Sequence, residues 1–210
     1  MNEVEKSWAT RKLGAESSTT RSALVDAAHR LFLDEGYAAV TSRRVAREAG
    51  LKPQLVHYYF RSMDDLYLEV LRRDADEALE QLNLVLDSEQ PLQALWEFVG
   101  DARTARFTTE FTALASRNSV IRAELARHGE TFRRLQTEAI SRHLAARGIE
   151  PKLPPVVVSI LLVSVSLILE REKALGMTLG HAELEAVVEH TMRSFQETGD
   201  APPGLFPTVS

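Results

Sequence analysis

At 210 residues, 44% hydrophobic and 26% charged, the chain has the composition of a soluble globular protein, sized for one small and one medium domain or a single all-helical unit. It has no cysteine, which excludes disulfides, thiolate metal sites and cysteine nucleophiles and fits a reducing, cytoplasmic setting. The net charge of −5 is divided unevenly: residues 1–63 carry ten Lys/Arg and seven Asp/Glu, residues 64–210 carry 15 and 23, so a basic N-terminal end precedes an acidic remainder.

Residues 1–19 are polar and aperiodic apart from Trp8 and Leu13. They read as a flexible arm without the apolar stretch of a secretion signal. Arg11 and Lys12 in this arm are either solvated or within reach of a phosphate backbone. A first helix is predicted from about Thr20 to Glu35, because Leu24, Ala27, Ala28, Leu31 and Phe32 fall at helical spacing and Gly36 follows. A second helix starts after a Thr41 N-cap and runs to about Ala49. A third opens with Pro53, where the missing N–H costs nothing. A fourth covers about 63–87, lined by Leu68, Leu71, Ala75, Ala78, Leu79, Leu82 and Leu86. Further helices are predicted over 91–104, 106–116, 119–147, 154–174 and 181–197. The fold class is therefore all-α, with about nine helices and no hairpin signal. The apolar run Val156–Leu169 is too short to cross a bilayer and reads as a buried core helix. The tail 199–210, with Pro202, Pro203, Gly204 and Pro207, is expected to be extended or loose.

The chemistry concentrates between Val45 and Phe60. Val45, Ala46, Gly50, Leu51 and Val56 stand where two short helices crossing at a sharp angle need apolar or small residues. Between them Lys52, Gln54, His57, Tyr58 and Tyr59 point away from the core, the layout of a helix-turn-helix with an exposed reading head for duplex DNA. Thr41, beside a helix N-terminus, suits a phosphate as well as the N-cap. Arg43 and Arg44 sit in the first turn of the second helix, unfavourably placed against its dipole unless an anion neutralises them, and phosphate is the expected anion.

The stretch from Thr20 to Leu66 contains A-A-x-x-L-F-x-x-x-G-Y, V-A-x-x-A-G-L, Tyr58-Tyr59-Phe60 and a following D-D-L, in that order. In this it closely resembles the DNA-binding domain of the TetR family of bacterial transcriptional regulators. The resemblance implies an N-terminal three-helix DNA-binding domain (residues 20–66), and a C-terminal helical ligand-binding and dimerisation domain (67–198) between the arm and the tail. It implies that Lys52, Pro53, Gln54 and Leu55 enter the major groove. There Gln54 pairs with an adenine edge, Lys52 reaches guanine or phosphate, and Leu55 packs on a thymine methyl. His57 and Tyr58 then position the head on the backbone. Many members have lysine where this chain has Met63; Arg61 or the start of the fourth helix is expected to substitute as a phosphate contact.

For the body the resemblance implies a ligand cavity and a two-fold homodimer built by the last two helices. Leu184, Val187, Val188, Thr191 and Phe195 form one stripe that suits such a seam or an intrachain core. Trp96, Phe107, Phe111 and Phe132, with Arg103 and Ser164 as polar anchors, are the candidate lining for a small, mainly hydrophobic effector. No catalytic, metal or cofactor motif is present, and His128/Glu130 and Glu138/His143 read as surface helical pairs. The expected partners are an operator duplex, a second copy and an effector, with no membrane. The alternative is a DNA-binding regulator without a small-molecule ligand, controlled by a protein partner. Repression is the family default, and such a repressor associates with the nucleoid when bound to DNA.

Overall fold

The structure, a computed structural model, describes residues 3–200 and Pro202, with side chains from Ser18 onward. The described residues form nine α-helices and no strand: α1 (Glu3–Glu35), α2 (Ser42–Glu48), α3 (Pro53–Tyr59), α4 (Met63–Leu86), α5 (Pro91–Val99), α6 (Ala102–Ala115), α7 (Ser119–Ala146), α8 (Pro155–Ala174) and α9 (His181–Thr198). A 3-10 turn, Tyr37–Ala39, which the apolar pattern does not announce, joins α1 to α2. No helix among the described residues is long and apolar enough to cross a membrane.

Two boundaries differ from expectation. The first helix begins at Glu3, so the segment expected as a flexible arm continues α1. It contains no proline, and Glu, Lys, Ala and Arg favour a helix even without an apolar stripe. The expected break between the fifth and sixth helices lies earlier, at Gly100–Asp101. There the Asp101 carboxylate accepts hydrogen bonds from the Thr104 N–H (2.9 Å) and hydroxyl (3.1 Å), which caps α6. The expected loose tail falls mostly on residue 201 and residues 203–210, outside the described residues.

The chain divides into two compact units. The first contains the chain to Ala75 together with Glu110–Leu125; the second contains Asp76–Thr109 and the chain from Ala126. The first unit therefore runs past residue 66, where the sequence places the end of the DNA-binding domain.

In the first unit, Leu24, Ala27, Ala28, Leu31 and Phe32 of α1 are buried as their spacing predicts. Val45 and Ala46 of α2 and Val56 of α3 are fully enclosed. The turn between α2 and α3 works through Gly50, at φ +67. This left-handed residue lets the Gly50 N–H reach Arg47 O (3.1 Å) and the Leu51 N–H reach Ala46 O (2.8 Å). The Thr41 N-cap forms as predicted, its hydroxyl accepting from the Arg44 N–H at 3.4 Å. The start of α4 is closed by a reciprocal cap that the sequence reading missed. Ser62 Oγ accepts from the Asp65 N–H, and Asp65 Oδ2 accepts from the Ser62 N–H, both at 3.1 Å.

Helices α1 and α4 are tied by a row of polar pairs. Arg21 bonds Glu69, Arg73 bonds Asp26 (2.6 Å), and His29 meets Asp74 (2.9 Å). The Arg21 hydrogen bond holds the Glu69 carboxyl below its ordinary range. Partly exposed pairs of this kind contribute about 0–1 kcal/mol each, so they fix the register while apolar burial supplies the stability. Phe32 is the centre of that burial. Phe111 stacks on it at 4.8 Å and Tyr67 meets it edge-on at 5.4 Å.

The second unit packs α5, α7, α8 and α9 around Leu92, Leu95, Ile140, Leu144, Leu162, Met192 and Phe195. The α7–α8 connection docks on the end of α9. The Lys152 N–H bonds Gly199 O at 2.9 Å, and a Cβ on Gly199 would meet Ile149 Cγ2 at 2.7 Å and Pro151 Cα at 2.9 Å. Gly199 also has φ +71, so a side chain there is excluded twice. Gly199→Ala is expected to lower stability by about 1–3 kcal/mol, read from the urea midpoint; an unchanged midpoint would contradict this packing.

Candidate nucleic-acid interface

The α2–α3 pair positions its polar residues by burying the others. Seven-residue α3 has Val56 fully buried, Leu55 and Tyr59 half-buried, and Pro53, Gln54, His57 and Tyr58 exposed. Lys52, the residue before α3, is exposed as well. One face of the helix is thus anchored while the other carries an amide, an ammonium, an imidazole and a phenol. Tyr58 is 76% exposed and is held edge-on against Tyr59 at 4.9 Å between ring centres. Phe60 is buried, and the Arg21 guanidinium lies over its ring at 5.2 Å. Thr41, Arg43 and Arg61 are exposed around this face. Met63 is half-buried at the start of α4, whose first turn is already served by the Ser62–Asp65 cap.

Arg44 has a partner within the chain. Its guanidinium makes a two-pronged contact with the Glu35 carboxylate at the end of α1, one arm at 2.7 Å. The anion that neutralises Arg44 in the first turn of α2 is therefore a carboxylate of the same chain. That hydrogen bond holds the Glu35 carboxyl below its ordinary range. Arg30 and Glu48 make a second α1–α2 pair at 3.1 Å. These partners are nine and 18 residues apart in sequence and meet only when α1 and α2 cross. Arg43, next to Arg44, stays exposed.

The candidate effector residues are divided between the two units. Phe111 belongs to the first unit, fully buried against Phe32, and is committed to that core. Trp96, Arg103, Phe107, Phe132 and Ser164 lie in the second unit. There Trp96 and Phe132 pack half-buried on the core and Phe107 is buried, while Arg103 and Ser164 are exposed. A buried hydrogen bond, Ser159 Oγ to Gln136 Oε1 at 2.6 Å, joins α8 to α7 and was not anticipated. The second unit also has an open polar cleft of about 580 Å³, lined by Gln90, His143, Arg147, Glu189, Arg193 and Glu197 among others. Burial, and then the nearby Arg147, push the His143 imidazole below its ordinary range.

The stripe expected as a dimer seam on α9 is split. Val188 and Phe195 join Met192 in the core of their own chain, with residues of α5 and α8. Val187 is left exposed and Thr191 half-exposed. On α8, Val156, Ile160, Leu161 and Ile168 remain on the surface.

These features define a helix-turn-helix DNA-binding domain joined to an all-helical body. Residues 24–70 match the family described as "Bacterial regulatory proteins, tetR family". The match is confined to the helix-turn-helix segment and the start of α4. It is 46% identical over 61 residues to the HTH-type transcriptional regulator BetI of Rhizobium meliloti (strain 1021), a match covering 29% of this chain and 30% of BetI. The likeness to such curated relatives thus spans about a third of their length. A longer match is 28% identical over 138 residues to the HTH-type transcriptional repressor NicS of Pseudomonas putida, covering 62% of this chain and 64% of NicS. Among solved structures, a candidate transcriptional regulator from Saccharomonospora viridis in complex with choline has the same fold. Its TM-score is 0.70 at 21% identity, over 82% of this chain and 97% of the other.

Arg43 and Arg44 are separable by experiment. If the head binds DNA, Arg43→Ala should reduce the dependence of log affinity on log salt by about one, equally for all sequences. Arg44→Ala, which removes a guanidinium already neutralised by Glu35, should change that slope less. Equal slopes for the two variants would show that Arg44 leaves Glu35 for phosphate on binding.

Proposed function

We propose that the protein is a transcriptional repressor that binds a palindromic operator as a homodimer and is released by a small, mainly hydrophobic effector. The observation that carries the reading is the α3 face. Val56 anchors the helix while Lys52, Gln54, His57 and Tyr58 stay exposed beside Thr41, Arg43 and Arg61. Gln54 offers a donor and an acceptor in one plane, the pattern complementary to an adenine edge. Lys52 contacts guanine or phosphate, Pro53 starts α3 and Leu55 packs on a thymine methyl. His57, Tyr58, Thr41, Arg43 and Arg61 hold the backbone and set the register. Net charge supports the division of labour, with the head basic and the body acidic.

The homodimer reading rests on the outward residues of α8 and α9. Val156, Ile160 and Ile168 recur at helical spacing on one side of α8, and Val187 is exposed on α9. An apolar row left open by its own chain is the expected signature of a two-fold helical seam. Two heads then read half-sites about 34–36 Å apart, one turn of duplex. For the effector, Trp96, Phe107 and Phe132 remain the apolar candidates, and Phe111 is set aside for the reason given above. The choline complex of a structural relative supports only that this fold accommodates a small molecule.

Two experiments test the reading. Gln54→Ala should cost about 1–3 kcal/mol at one operator position and relax base preference there; unchanged specificity would refute the assignment of α3. Ile160→Asp combined with Ile168→Asp should yield a folded monomer by sedimentation, with operator binding lost. A dimer that survives both changes would move the seam elsewhere.

A further inference from the structure

The connection between α1 and α2 is held by side chains from outside the helix-turn-helix. Residues 36–40 set the direction in which the chain enters α2. Gly36 has φ +82, and its N–H returns to Phe32 O at 3.0 Å, ending α1. The next N–H, of Tyr37, donates to Glu110 Oε2 at 2.9 Å. At the other end of the 3-10 turn, the Val40 carbonyl accepts from the Tyr67 hydroxyl at 2.9 Å. A Cβ on Gly36 would stand 3.0 Å from Glu110 Oε1 and 3.2 Å from the carboxylate carbon. The carboxylate therefore lies directly on the bare glycine backbone, a place only glycine leaves open. Phe111, the next residue of α6, stacks on Phe32 and holds Glu110 in position. Tyr67 meets the same Phe32 ring edge-on, so both outside side chains are referred to one buried aromatic.

We infer that Glu110 is a positioning residue of the DNA-reading head, acting through the Tyr37 N–H on the angle at which α2 and α3 are presented. The inference rests on the reading of residues 41–61 as that head. Glu110 lies outside the residues 24–70 that match the DNA-binding family, and it touches no residue assigned to DNA. Its charge has the wrong sign for a phosphate neighbour. Charge alone therefore requires that deleting it strengthen DNA binding, whereas positioning requires that deletion weaken specific binding. The two roles give opposite signs. Glu110 is only partly buried, so alanine removes little core volume.

The test uses the full chain, Glu110→Ala and Glu110→Gln, with two readouts. The first is hydrogen exchange of the Tyr37 amide without DNA. The second is affinity for a duplex selected from random sequence by the wild-type protein, compared with a scrambled duplex. Glutamine keeps an acceptor oxygen for Tyr37 and removes the charge. Positioning predicts that Glu110→Ala speeds Tyr37 exchange at least about tenfold, the loss of one charge-assisted hydrogen bond. It should also weaken the selected duplex about tenfold and leave the scrambled one unweakened, and glutamine should restore most of both. Unchanged Tyr37 exchange in Glu110→Ala, tighter binding to both duplexes alike, or a glutamine variant that behaves as alanine would each overturn the inference. If the wild type selected no duplex, the head reading itself would fall, and Tyr37 exchange would still decide whether Glu110 holds the α1–α2 connection.

Discussion

A helix of seven residues has no stability of its own in water, because nucleation consumes most of what its few hydrogen bonds return. Both α2 and α3 are of that length. The reading head therefore exists only as far as the rest of its unit holds it. Val45, Ala46 and Val56 are buried to the last few per cent of their surface, and they are the fully buried residues of the two helices. Everything around them serves that anchorage: the Gly50 turn, the Thr41 cap, the Arg44–Glu35 and Arg30–Glu48 pairs, and the Phe32 cluster behind. One consequence is chemical. Because the apolar side of α3 is fully used, its other side is free to carry Gln54, His57 and Tyr58 without cost to the fold.

The same constraint explains why the first unit reaches beyond the three-helix motif. One long and two short helices bury too little surface to close a core alone. The structure adds the first half of α4 and the segment Glu110–Leu125, with Phe111 supplying an aromatic face for Phe32. An aromatic pair of this kind adds about 0.5–1.5 kcal/mol beyond the area it buries. That is enough to matter where the motif contributes so few apolar groups.

What could be read in the sequence was periodic or local. The α1 stripe, the Thr41 cap, Pro53 at the start of α3 and the Gly50 turn all depend on neighbours within four residues, and each appears where its pattern placed it. What could not be read depends on partners far apart in the chain. The Arg44–Glu35 contact is one such case, since it forms only where α2 crosses the end of α1. Phe111 looked like one more mid-chain aromatic. Val187 and Val188 are adjacent in sequence, yet one faces out and the other joins the core, and the packing of α5 and α8 against α9 decides which. Some local signals were present and passed over. Ser62 and Asp65 stand at capping-box spacing, and Asp101 precedes Thr104 by three residues, which should have moved the start of α6.

The most direct measurement of the central claim is selection of genomic fragments by the purified protein at physiological salt, followed by footprinting of those retained. The account predicts a short palindrome, protected on two half-sites about one helical turn apart and bound by a dimer. Diffuse binding without a shared sequence, lost at moderate salt, would contradict it, because a head held only by phosphates would be reading no bases.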